Sequence, residues 1–349
     1  MKIIKENVMY IRHCCTLFIL LLSSAVCFGK NVLKNNDQGL AVVQSWFNAW
    51  ETISKDICEA DRPANVDFVF FDDSLVYSTS TVTISKQTGF KGPGFKNQHL
   101  IWFVEPHHDV ILLPDGQQIK PSIMAFASTV DSGSEQTYFV MPLPSFWKNA
   151  GVESKELGID NLLVGIFLHE YSHSQQIRIY GEQLALMEDK KSHLYPITDN
   201  IVQDVFESDS AYCKAFTIEV DRFYQAALSN SPGERDEKLQ TALIVFTDRH
   251  NRWFVNNFTF LKEADKLFLT MEGLGQYMMY RWLIHKQGAN LPEDLALKGV
   301  RRGGKKRSQE QGVALFLILE KKMKGKEWMS KFYGNRMEDI ISVLQKEAR

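Results

Sequence analysis

The chain has 349 residues, of which 44% are hydrophobic and 23% charged, and its formal net charge is -2. That length supports one large domain or two small ones around a sizeable core, and the balance is that of a globular protein rather than a disordered or fibrous one. A near-neutral chain has no long-range basic field, which argues against nucleic acid as a partner.

Residues 1–29 read as a signal peptide. Lys2, Lys5 and Arg12 form a basic leader, and Thr16 to Phe28 is an apolar run too short to span a bilayer. Ala25 with Cys27, or Cys27 with Gly29, supplies small residues for cleavage, and a start at Met9 gives more usual signal proportions. A lipoprotein signal at Cys27 is disfavoured by the bulk of Val26, and an uncleaved membrane anchor is the alternative. The expected location is secreted or periplasmic, with no stable membrane span once the signal is removed. Cys14, Cys15 and Cys27 fall in this segment. Cys58 and Cys213 remain, either as a disulfide in an oxidising compartment or as two separate thiols.

Residues 30–160 read as a helix followed by a β-rich subdomain. Asp37 to Ala60 carries an apolar stripe of Leu40, Val43, Phe47, Trp50 and Ile53, and Asp61-Arg62-Pro63 ends it. Val66 to Phe71 and Leu75 to Ser80 flank Asp72-Asp73-Ser74, a hairpin signal. Lys86 to Lys96, rich in Gly and Lys, reads as an exposed loop. Further strands are expected at His99 to Val104, Asp109 to Leu113 and Ile123 to Val130. His107 and His108 between them fit a turn better than a second metal site. Thr137 to Leu143 is the last strand, and its Pro142 points to a sheet edge.

Residues 161–349 read as a mainly helical subdomain. It opens with Asn161 to Ile177, NLLVGIFLHEYSHSQQI, in which apolar residues recur at helical spacing. His169-Glu170-Tyr171-Ser172-His173 puts two imidazoles one turn apart on one face of that helix, placed to share a metal ion. Glu170, about 100° further round, is placed as a general base for a water on that metal. Lys and Arg are absent from Asn161 to Gln176. Two histidines that merely satisfy backbone carbonyls are the alternative, and would be an expensive choice for a core face.

The rest of the chain reads as helices. The first runs from a cap at Thr198 or Asp199 to about Ala227, followed by Glu234 to Phe258, Glu263 to Lys286, Gln309 to Lys322 and Glu327 to Lys346. Arg301 to Arg307 is a basic loop, read as solvated charge, with contact to an acidic partner or a substrate carboxylate as the alternative.

The H-E-x-x-H motif resembles that of the zincin metallopeptidases, and the expected architecture is an α+β, zincin-like fold. Gln176 and Ile179 stand where the metzincin subgroup has Gly and His, so the resemblance is to the gluzincins, whose third ligand is a Glu on a later helix. Glu272 is the foremost candidate. It is the only charged residue from Leu267 to Tyr280, and Glu-Gly-Leu-Gly-Gln-Tyr resembles the glutamate helix of several gluzincin families. The gap from His173 is longer than in many of them. Glu207 and Glu219 are the alternatives. The resemblance implies a zinc ion on His169, His173 and Glu272. It also implies a zinc-bound water activated by Glu170, and hydrolysis of peptide bonds in a peptide or protein substrate. Tyr277, Tyr280 and His250 are candidates for stabilising the oxyanion. A zinc hydrolase of a non-peptide amide and a zincin-like binding protein without turnover are the alternative functions.

Overall fold

Two strands with apolar residues on both faces lie in the interior of the sheet, as burial on both sides requires. In the computed structural model these are β1 (Val66–Phe71) and β8 (Thr137–Pro142), paired in parallel with Phe68 opposite Phe139 and Val69 opposite Val140. The structure describes residues 36–348, except 58–64, 85–87, 132–133, 191–195, 302, 305, 324–325 and 334–336. The other members of the main sheet are β2 (Leu75–Ser78), β3 (Phe90–Lys91), β4 (Ile101–Pro106) and β7 (Phe126–Thr129). Its order is β3-β4-β2-β1-β8-β7, and every pair except β1 with β8 is antiparallel. A separate ribbon joins β5 (Ile111–Leu112) to β6 (Gln118–Ile119).

Strand periodicity divides the apolar residues between two cores. Phe68, Phe70, Phe139 and Met141 face the large core that runs on through the helices, while Val69, Phe71, Tyr138 and Val140 face a smaller one with Ile84, Ile111 and Leu113. On the helical side lie α1 (Asn36–Ile57), α2 (Pro144–Asn149) and α3 (Ile159–Ser174). Beyond them come α4 (Ile177–Lys190), α5 (Ile201–Asp204), α6 (Ser210–Ala227), α7 (Pro232–Trp253), α8 (Leu261–Ile284), α9 (Glu293–Val300), α10 (Arg307–Lys322) and α11 (Ile340–Glu347). The fold is mixed α+β.

Helix α3 is buried all round from Leu162 to Ser174, its polar residues included. It has two working faces because residues two apart on a helix differ by about 200°. Phe167 and Tyr171 face the sheet. Phe167 stacks on Trp46 of α1, and Tyr171 packs against Phe68, Phe95 and Phe139. His169 and His173 point the opposite way, to α8. Each buried aromatic on the sheet side contributes about 1.5–3 kcal/mol, so the helix is held in place independently of the histidines.

Several expectations are corrected. Strand β8 is interior, between β1 and β7, and β7 is the edge. Pro142 is tolerated because β7 pairs only as far as Val140, so no donor is needed at Pro142 on that side. The stretch expected as an exposed loop contributes β3 and buries Phe95 in the aromatic core. The helix expected to start at Thr198 or Asp199 is broken into α5 and α6, because Asp209 caps a new start by accepting from the N–H groups of Ala211 and Tyr212. The C-terminal helix is a short 3₁₀ turn, Glu327–Lys331, followed by α11. The expected signal peptide and Cys58 lie outside the described residues, and with Cys58 the expected disulfide. Cys213 lies on α6, its sulfur 3.0 Å from the Arg307 guanidinium. Among the described residues no helix is long and apolar enough to cross a membrane.

Candidate metal centre

Helices α3 and α8 pack face to face, and two glycines of α8 set how closely α8 meets its neighbours. A Cβ on Gly273 would meet the backbone of Gly312 at 2.6 Å, so α8 and α10 touch backbone to backbone. A Cβ on Gly275 would meet the imidazole of His169 at 2.7 Å, so that ring lies directly on α8. The contact brings Glu272 between the two histidines. Glu272 Oε2 is 3.2 Å from His169 Nε2, and Oε1 is 3.5 Å from His173 Nε2. The two imidazoles are perpendicular, with centroids 4.9 Å apart. His169, His173 and Glu272 are 4%, 1% and 1% exposed, and Glu170 is 9% exposed. His169, Glu170 and His173 form a buried group able to hold a metal ion, with one donor atom from each within 4.8 Å of the others.

The hydrogen bonds decide which imidazole nitrogen is available. Gln276 donates from Nε2 to the carbonyl of Val300, and Gln176 donates from Nε2 to the carbonyl of Phe332. Their amide oxygens therefore face the histidines, at 3.3 Å from His169 Nδ1 and 3.3 Å from His173 Nδ1. An amide oxygen only accepts, so each Nδ1 carries a proton and each Nε2 is the nitrogen turned to Glu272. A metal-ligating histidine likewise donates from its other ring nitrogen to a fixed acceptor.

Both Nε2 atoms point at one carboxylate. Burial and the neighbouring His169 push His173 down to about 4, against the pull of Glu272, so it is neutral at physiological pH. Burial pushes Glu272 up, but the contacts with His169, His173 and Gln309 outweigh it and hold the carboxyl at about 2. Among the described residues, His173 Nε2 and Glu272 Oε1 have no hydrogen-bond partner. Each such buried orphan costs about 1–3 kcal/mol. A cation between the acceptors removes the conflict, and the residues fit a metal on this ground.

The other sequence candidates lie elsewhere. Glu207 is exposed. Glu219 is fully buried but grips Arg249 with both oxygens, at 2.7 and 2.9 Å, and accepts from Gln311. His250 bonds Asp265 in that same ion cluster. Tyr277 packs against Phe316 and Trp328, while Tyr280 lines an open surface cavity of about 810 Å³ with Leu297 and Arg301. His107 sits in a turn, where its Nε2 is 3.0 Å from the carbonyl of Asp72. In the basic loop Arg301 pairs with Glu310, and Arg307 lies over the rings of Tyr212 and Phe216.

Sequence reasoning missed four groups at the centre. Three are the glutamines Gln176, Gln276 and Gln309. The fourth is Asp199, which is buried, has Lys306 at 3.7 Å, and is raised well above the usual carboxylate range by burial and the charge of Glu272. Only the polar character of Gln176 and Gln276, at helical spacing from His173 and Glu272, offered a signal.

No family model, curated protein or solved structure matches this chain.

Proposed function

We propose that the chain is a zinc-dependent hydrolase of peptide bonds with a zincin-like centre, in which His169, His173 and Glu272 hold the metal and Glu170 is the general base. The observation that carries this reading is the pair of buried imidazoles whose Nε2 atoms face one buried carboxylate, at 3.2 and 3.5 Å. Two nitrogens and one oxygen suit zinc and leave a coordination position open. Bound zinc would supply Lewis acidity towards a carbonyl and towards water.

The chain's own residues do the rest. Glu170 takes a proton from the attacking water and returns it to the leaving amine nitrogen, a single carboxylate serving both steps. Gln176 and Gln276 hold the histidines in one tautomer through both. The apolar packing of α3 and α8 keeps bulk water from the site, which strengthens every charge interaction within it. Residues 1–29 support export to a secreted or periplasmic location, where the substrate is a peptide or protein.

The test is metal content of the purified protein together with a screen of peptides and non-peptide amides. One zinc per chain and peptide cleavage would support the proposal. Zinc with cleavage of non-peptide amides alone would change the substrate class, and zinc with no turnover would make this a binding protein. A chain that takes up no zinc when it is supplied refutes the centre itself.

A further inference from the structure

Two of the proposed ligands, His169 and Glu272, are joined by a closed ring of side-chain contacts that passes through Gln276 and Gln309. His169 Nδ1 faces Gln276 Oε1 at 3.3 Å, and Gln276 Nε2 faces Gln309 Oε1 at 3.3 Å. Gln309 Nε2 donates to Glu272 Oε2 at 2.8 Å, and Glu272 Oε2 returns to His169 Nε2 at 3.2 Å. Three helices contribute: α3 the histidine, α8 Gln276 and Glu272, and α10 Gln309.

The direction of the two glutamine amides in the ring follows from one fixed acceptor. The carbonyl of Val300 can only accept, so it sets the Gln276 amide. Gln276 then presents N–H to Gln309, which must turn its oxygen towards it. Turned the other way, Gln309 would set its oxygen against the Glu272 carboxylate and its N–H against that of Gln276. The ring thus aims a neutral N–H donor at one oxygen of a buried carboxylate.

A carboxylate facing a metal can bind through one oxygen or chelate through both. Chelation raises the coordination number and fills the position that a hydrolytic site leaves open. Gln309 holds Oε2 from the α10 side, while Oε1 accepts no hydrogen bond among the described residues. We propose, resting on the metal-centre reading above, that Gln309 is a positioning residue that restricts Glu272 to one-oxygen coordination.

Helix α10 supplies its own control. Two residues along, Gln311 Nε2 donates at 2.7 Å to Glu219, another fully buried carboxylate, within the Arg249 cluster. Removing either amide takes a donor from a buried glutamate, but only Gln309 touches a proposed ligand.

The experiment compares the parent with Gln309→Met, Gln309→Asn and Gln311→Met in the full chain. Met keeps the bulk and loses the donor, and Asn keeps an amide one methylene short of Glu272, so two differently packed variants test the same bond. Zinc affinity is read by competition with a chromophoric chelator, and the visible bands of the cobalt-loaded protein report coordination number. Both Gln309 variants are expected to weaken zinc about 10- to 100-fold and to lower the intensity of the cobalt bands, as a higher coordination number does. Gln311→Met is expected to leave affinity and bands at parental values. Parental affinity and bands in the Gln309 variants would overturn the proposal and leave the metal centre standing. The same changes in Gln311→Met would also overturn it, by showing that any donor lost from α10 has this effect. Failure of the parent to take up either metal would overturn the centre and this proposal together.

Discussion

Gly275 lies directly beneath the imidazole of His169: a methyl group there would stand 2.7 Å from Nδ1 and 2.8 Å from Cγ and Cε1. Gly275 is buried in the middle of α8, where glycine ordinarily costs about 1 kcal/mol relative to alanine. Gly275→Ala should therefore favour the helix and yet displace the ring, since imidazole is rigid and cannot fold away. We expect at least a tenfold loss of zinc affinity with helical circular dichroism retained. Unchanged affinity would mean that His169 does not need its observed position to bind.

Glu170 and Glu272 make opposite predictions although both are acids of one site. Glu170→Gln should keep the metal, because His169, His173 and Glu272 are untouched, and should lower turnover by about 10²- to 10⁴-fold, the usual contribution of an acid–base group. Glu272→Gln should lose most of the metal, since a neutral amide replaces the charged oxygen ligand. Metal analysis and hydrolysis of one peptide, run on both variants, separate the roles. Swapped results would make Glu170 the ligand.

The same geometry predicts how metal couples to stability. Zinc binding only the folded chain should stabilise it by RT ln(1 + [Zn]/Kd), about 2.7 kcal/mol at a hundredfold excess over Kd. Thermal melts should rise on adding zinc and fall again with a chelator, and in Glu272→Gln the increment should be nearly absent. An equal increment in the variant would place the stabilising zinc at another site.

The sequence showed the ligand-bearing residues more clearly than their supports, for a physical reason. His169, Glu170 and His173 are related by helix geometry alone, and Glu272 stood out as a lone acid in an apolar helix. The structure brings these four into one buried place. Gln309 is a polar residue in polar surroundings of the sequence, and its meeting with Glu272 depends on how α10 docks on α8 through Gly273 and Gly312. Sheet order was misread at Pro142, because a proline only excludes a donor at one position and says nothing of a neighbour that ends before it. The break between α5 and α6 was hidden by continuous helical periodicity on either side of the Asp209 cap. Glu219 was weighed as a ligand because its partner, Arg249, lies on another helix.

That pairing gives the last prediction. Arg249 is fully buried between Glu219 and Asp265, with NH2 at 2.7 Å from Asp265, and Tyr212, Phe216, Phe246 and Phe254 surround its guanidinium. Glu219→Gln removes one charge from a buried pair, and such a loss typically costs about 3–5 kcal/mol. Zinc content should stay at the parental value, because the cluster shares no contact with His169, His173 or Glu272 among those described. The cluster also sets a pH dependence. Burial raises the Asp265 carboxyl, but Arg249 and His250 outweigh it and hold it below the ordinary value. A depressed folded pKa contributes stability that is complete above the unfolded value, about 3.9, and is lost as pH falls through the folded one. In urea titrations from pH 7 down to pH 3, the parent should therefore exceed Asp265→Asn by its full margin at neutral pH, and the margin should shrink only below about pH 4. A margin that stays constant to pH 3 would mean that the charge of Asp265 is not what stabilises the cluster.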